Sequence, residues 1–192
     1  MIFDLDKMHS PPVLTWIVMI AAYGFLEVAI GLRARAGSRR KRVRDATFYL
    51  VTVPAMAAMY GAFFEAMLKS HSLPALWFGS GTVILAGGIA LRITALLQLG
   101  RGFSTKVERS EGQALYTRGI YGVIRHPLYA ATLLQVIGSG VMLHSALAFI
   151  LFPFSVAGIL LRIRKEERFM AREFPGYGHY MEKTKRLVPW IC

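Results

Sequence analysis

Residues 128–163 read LYAATLLQVIGSGVMLHSALAFILFPFSVAGILLRI, an apolar run of thirty-six residues whose first charge is Arg162. A helix needs about 20 residues to cross a bilayer core, so this run is nearly long enough for two. It reads as a helical hairpin with His144 and Ser145 at its turn. A hairpin enters and leaves the membrane on the same side. Arg125 and His126, just before the run, therefore meet Arg162, Glu166 and Glu167 at one membrane face.

Working outward, three more apolar stretches precede the hairpin, at 13–32, 46–68 and 77–99. With 55% apolar residues in 192 and a positive mean hydropathy, the chain is too hydrophobic for an ordinary soluble domain and too short for several. The expected fold is an all-α integral membrane protein of about five transmembrane helices, a single domain over 1–192 with three N-terminal spans in 1–100.

The basic residues orient it. Placing the N-terminus outside puts segments 33–44, 100–127 and 162–192 on the inner side, with seven, five and eight Lys or Arg, twenty of the chain's twenty-three. That asymmetry predicts an external N-terminus and a cytosolic C-terminus. A net charge of +12 otherwise suggests a nucleic-acid binder, but these cations flank apolar spans instead of forming a soluble face, so no nucleic-acid partner is expected. The bilayer is the partner.

The N-terminal MIFDLDKMHSPP is acidic where a signal peptide is basic, and the first span is expected to stay as an anchor. Cys192 is the single cysteine and lies at the last position, not fourth from the end as a prenylation box requires. The basic run after span one suits a headgroup-level turn, as an orientation signal or a lipid contact. Pro54 is expected to kink span two. Gly79, Gly81, Ala86, Gly87, Gly88 and Ala90 give span three close-packing surfaces and no strand-bounded dinucleotide fingerprint. Glu27 and Arg92 are ionisable residues inside spans, which either pair to support the bundle or line a polar substrate tunnel.

No G-x-S-x-G elbow, H-E-x-x-H or Cys-x-x-C occurs, and the five histidines fall in different segments without metal-ligand spacing, so no metal is expected. What remains suits chemistry by positioning. Chemistry of that kind holds two reactants close in a near-attack geometry and needs no nucleophile from the protein.

The stretches GRGFSTKVERSEGQALYTRGIYGVIRHPLY, RIRKEERFMAREF and YGHYMEKTKRLVP resemble the isoprenylcysteine carboxyl methyltransferase family and its relatives the phospholipid N-methyltransferases. The combination of RHPxY, R-x-x-K-E-E some thirty residues later and a Tyr-rich tail covers about 101–189; residues 1–100 carry no comparable signature. The resemblance implies a cytosolic-face pocket for S-adenosyl-L-methionine, built by the region 101–192, and a lipophilic or lipid-anchored substrate. Phe174-Pro175-Gly176-Tyr177 departs slightly from the family's usual tail.

It also implies site residues. The loop with Gln113, Leu115, Tyr116 and Gly119, together with Arg125, His126 and Tyr129, is expected to wrap the cofactor, with Glu167 on its amino group or ribose. Pro127 suits a first-turn position, leaving N–H groups for the cofactor's carboxylate. Arg162 and Glu166 are i and i+4 neighbours on a helix; they are the expected catalytic pair, with the Arg162 fork matched to a carboxylate acceptor. Glu167 points about 100° away. Tyr177 and Tyr180 either close over the cofactor or join an interface belt, and Gly176 and Gly178 suggest that 175–178 is a turn.

The expected reaction is methyl transfer to the carboxylate of a prenylated cysteine or similar molecule. Alternatives are a phospholipid amine or thiol methyltransferase, a sterol-reductase-like NADPH enzyme, and a non-enzymatic membrane scaffold. The short chain and the absence of internal repeats weigh against the last two.

Overall fold

The computed structural model describes residues 10–35, 47–68, 74–99 and 115–189. Its helices are α1 (Pro11–Arg35), α2 (Thr47–Leu68), α3 (Ala75–Leu99), α4 (Pro127–Met142), α5 (Ala146–Glu173) and the short α6 (Tyr177–Lys183), with a 3-10 turn at Gly119–Gly122. The described residues contain no strand, only an isolated bridge between Ile124 and Lys185. Four helices are long and apolar enough to span a bilayer, and α4 is a shorter apolar helix. The protein is an all-α, multi-pass integral membrane protein.

The hairpin turns where the sequence predicts. His144 adopts a left-handed backbone with φ 49° and Ser145 caps α5, its hydroxyl accepting from Ala148 N at 3.1 Å. Glu65 of α2 completes the cap, accepting from Leu147 N at 3.0 Å, Ala146 N at 3.3 Å and the Ser145 hydroxyl. One carboxylate thus meets donors that no helix can satisfy at its own start.

The two arms are unequal, which the apolar run did not reveal. Helix α4 has 16 residues and α5 has 28. The twelve-residue difference is about 18 Å at 1.5 Å per residue. Helix α5 runs on past Ile163 to Glu173, overhanging the start of α4. The functional residues collect under that overhang.

Packing follows the small residues selectively. Helices α3 and α4 approach so closely that a Cβ on Gly81 would strike the Met142 backbone, and one on Gly138 would lie 2.5 Å from Leu85 N. By contrast, Gly79 and Gly87 have nothing within 4 Å of a built Cβ, so only part of the expected small-residue set is used inside the chain. Helix α1 is pinned by Trp16, whose indole N–H donates to Ser139 Oγ at 2.9 Å and whose ring stacks on Phe63. Helix α2 continues through Pro54.

One turn is shorter than expected. Gly176, at φ 88°, ends the turn and caps α6, so Tyr177 and Gly178 are helical. Only the residue that must adopt positive φ needs to be glycine there.

Candidate active site beneath the long arm of the hairpin

The segment before α4 is extended because Pro127 disfavours helix at the preceding residue, and its N–H groups find partners in the C-terminal tail. Arg125 N donates to Lys185 O at 2.7 Å and His126 N to Arg186 O at 3.0 Å. Upstream, Gly119 turns at φ 59° against Gln98, whose Oε1 accepts from Ile120 N at 2.9 Å. A side chain on Gly119 would collide with Gln98.

The adjacent glutamates of α5 face different partners, as their 100° offset requires. Glu166 receives the Arg162 Nε–H at 2.7 Å and the Tyr129 hydroxyl at 2.6 Å. Arg162, 1% exposed, also donates to the Tyr129 oxygen at 3.3 Å and through Nη1 to Thr47 Oγ1 at 2.5 Å. Its fork is oriented from three helices. Glu167 instead accepts from Arg125 Nε at 3.0 Å and from Arg186 at 3.0 and 3.1 Å.

Between the two carboxylates stands His126. Its Nδ1 lies 3.7 Å from Glu166 Oε2 and its Nε2 3.5 Å from Glu167 Oε1; Nε2 is buried and makes no aligned hydrogen bond. His126 is the N-cap residue of α4 by position, yet its side chain caps nothing. Arg125 donates further to Met181 O at 3.0 Å and to Thr184 O, so its guanidinium binds the tail to α5.

A cavity of about 560 Å³ opens beside these groups. At its polar end it is lined by Tyr116, His126, Tyr129, Arg162 and Glu166, together with Tyr177 and Tyr180 of α6. It continues between α1 and α2 past apolar Ile20, Val51, Ala55 and Met59. The Tyr180 hydroxyl donates to Tyr121 O at 2.6 Å. Burial holds the Tyr180 phenol up at about 12 and raises that of Tyr177 as well, so both stay protonated donors at physiological pH.

Of the residues expected from the sequence, Leu115, Tyr116, Arg125, His126, Tyr129, Arg162 and Glu166 all line this cavity. Gly119 and Glu167 lie outside its lining, and Gln113 falls outside the described residues. Thr47, Phe169 and Phe174 were not foreseen. Phe169 follows Arg162 by seven and Glu166 by three, the spacing of one helix face, so periodicity pointed to it. Thr47 had no local signal. Glu27 and Arg92 pair at 2.6 Å, and Arg92 also donates to Thr132 Oγ1 at 2.9 Å and Leu128 O at 3.3 Å while lining the cavity. They support the bundle and face its interior.

The isoprenylcysteine carboxyl methyltransferase family model matches residues 81–172, which hold α3, the RHPxY element, the hairpin and both glutamates. Over these residues the chain is similar to the isoprenylcysteine carboxyl methyltransferase family. It is a membrane methyltransferase. Over 160 residues it is 29% identical to a probable protein-S-isoprenylcysteine O-methyltransferase of Oryza sativa subsp. indica, covering 79% of this chain and 84% of that one. It is 34% identical over 131 residues to protein-S-isoprenylcysteine O-methyltransferase B of Arabidopsis thaliana, covering 65% and 64%. The solved structure of a eukaryotic intramembrane Ras methyltransferase of the same family superposes with a TM-score of 0.61 at 25% identity, over 96% of this chain and 70% of that one. These matches extend the family likeness into the first hundred residues, where no motif announces it.

Proposed function

We propose that this protein transfers the methyl group of S-adenosyl-L-methionine to a lipophilic acceptor that enters from the bilayer, with the carboxylate of a prenylated cysteine or a similar acid as the receiving group. The observation that carries this reading is the single cavity joining a polar mouth under α5 to an apolar floor between α1 and α2. One end suits a charged, water-soluble cofactor. The other suits a hydrocarbon chain.

The residues present fit the cofactor. His126 has a buried nitrogen without an aligned partner beside the cavity, Glu166 offers carboxylate oxygens to an amino group, and Tyr116, Tyr129 and Tyr177 line the same space with aromatic rings, groups that attract a cationic sulfonium. Bound there, the cofactor supplies an electrophilic methyl group. Leu115, Tyr116, His126 and Tyr129 are then its contacts, while Arg125 and Glu167 act by locking the tail that closes the pocket.

Arg162 receives the acceptor in this reading. Its planar fork suits a carboxylate, and Glu166, Tyr129 and Thr47 hold it in one orientation, so little freedom is lost on binding. A carboxylate attacks without giving up a proton, so no general base is required. An anionic acceptor and a cationic donor cancel charge as the new bond forms, and a water-poor cavity favours that step. The chain works as one membrane unit, residues 1–100 supplying the apolar floor and 101–192 the polar mouth.

Calorimetry on purified protein tests the cofactor reading. S-adenosylhomocysteine is expected to bind and NADPH is not; the reverse selects a reductase and overturns the proposal. Transfer of labelled methyl to prenylcysteine analogues, lipid amines and thiols then tests the acceptor, and a preference for amine or thiol removes the carboxylate.

The same reading puts the polar mouth on the cytosolic side. In a Cys192→Ser background, cysteines at Ser10 or His144 are expected to react with a membrane-impermeant reagent outside intact cells, and those at Ser104 or Thr184 to stay protected. The opposite labelling pattern inverts the topology.

A further inference from the structure

The apolar floor of the cavity ends together on three helices. Its lining stops at Ile20 on α1, at Met59 and Tyr60 on α2 and at Gln135 on α4. The next turn of each helix away from the mouth supplies Trp16, Phe63 and Ser139, and these close on one another. The Trp16 indole donates to Ser139 Oγ at 2.9 Å, its ring stacks on Phe63 with centroids 5.3 Å apart, and Tyr60 meets it edge-on at 5.9 Å. Both Trp16 and Ser139 are buried. A hydrocarbon chain laid along the floor, with α1 on one side and α2 on the other, therefore runs into a hydrogen-bonded aromatic plug.

The reach of the floor follows from α2. Thr47 holds Arg162 at the mouth and Tyr60 stands at the far end. The thirteen residues between those positions rise about 20 Å at 1.5 Å per residue. An isoprene unit adds four carbon–carbon bonds of about 1.5 Å each, or about 5 Å along an extended zigzag. The carbons and thioether that join a cysteine carboxylate to its prenyl group take up about one such length. That leaves room for about three units before the plug.

We infer that Trp16, fixed by Ser139 and backed by Phe63, is the end stop that sets the acceptor's chain length at about three isoprene units. A fourth unit in line has to displace packed aromatic rings, and overfilling a packed apolar site is unfavourable for that reason. Trp16 thus determines specificity without touching the reacting atoms, and the assignment rests on the acceptor reading of the cavity given above.

N-acetyl prenylcysteines of two, three, four and five units, presented at equal mole fraction in mixed micelles, test it through labelled methyl transfer. For wild type, kcat/KM is expected to rise up to three units and to drop about tenfold at four. A steady rise through five units, the result if the chain leaves sideways between α1 and α2, overturns the inference. In Trp16→Ala the drop is expected to move beyond four units while S-adenosylhomocysteine affinity stays as in wild type. An equal loss at every length, the mark of a merely structural role, removes Trp16 as the end stop. Gly24 allows the opposite change: it lines the floor one turn nearer the mouth than Ile20 and has nothing within 4 Å of a built Cβ. Gly24→Leu is expected to bring the drop forward to three units, and it decides the matter should Trp16→Ala fail to fold; a wild-type length profile in Gly24→Leu overturns the inference. Failure of the methyl-transfer reading appears separately, as absent S-adenosylhomocysteine binding or no methylated product at any length.

Discussion

Arg162→Ala is expected to lower methyl transfer to a carboxylate acceptor roughly a hundredfold while leaving S-adenosylhomocysteine affinity within about twofold. Losing a charge-assisted, bidentate contact in a site of low dielectric costs on the order of 3 kcal/mol, and each 1.4 kcal/mol is a factor of ten in rate. The cofactor contacts assigned above come from other residues, so the loss falls on the acceptor step. Folding is less affected, because Glu166, the charge left behind, keeps the Tyr129 hydroxyl at 2.6 Å and its side chain is 21% exposed. Arg162→Lys retains charge but has no fork to span Glu166, Tyr129 and Thr47, and is expected to recover only part of the rate. Single-turnover transfer from labelled cofactor measures both variants. Normal turnover by Arg162→Ala on its best acceptor removes Arg162 from the mechanism.

Glu167→Ala is expected to lose both cofactor affinity and stability. Its carboxylate is 8% exposed and holds Arg125, also 8% exposed, together with Arg186. Removing it strands the Arg125 guanidinium, and breaking a buried pair in this way costs about 3–5 kcal/mol. The Arg186 arm adds little, since that side chain is 46% exposed. The chain segment at stake is the tail, because Arg125 also bonds Met181 O and Thr184 O while its backbone pairs with Lys185. Freed, the tail no longer presses Tyr177 and Tyr180 over the cavity. Thermal unfolding in detergent and S-adenosylhomocysteine titration measure the two losses. Glu182→Ala is the contrasting variant: its pair with His179 is exposed on both sides and is expected to change neither. A Glu167→Ala protein with wild-type melting and ligand affinity sinks the clamp.

The amino-acid sequence by itself determined the membrane class, the hairpin and its turn at His144 and Ser145, because span length and apolar continuity are local quantities set by bilayer thickness. The Arg162–Glu166 contact was equally legible, since i,i+4 spacing on a helix dictates proximity without any knowledge of neighbours. So was the divergence of Glu166 and Glu167 to separate partners. The meeting of RHPxY with R-x-x-K-E-E followed from the hairpin alone.

Only the tertiary structure decided who completes the site. Thr47 is 115 residues from the Arg162 it holds, and Lys185 and Arg186 pair with Arg125 and His126 across some sixty residues. Arg125, read as a cofactor contact, lines the cavity yet also anchors the tail. The unequal arms of 16 and 28 residues, which create the overhang, come from α4 starting at Pro127, the very edge of the apolar run, while α5 continues past the run's end through charged residues to Glu173. Periodicity and charge report what a segment wants from its solvent; which distant group satisfies a given donor depends on how helices cross, and that is settled by side-chain packing with no period in the sequence.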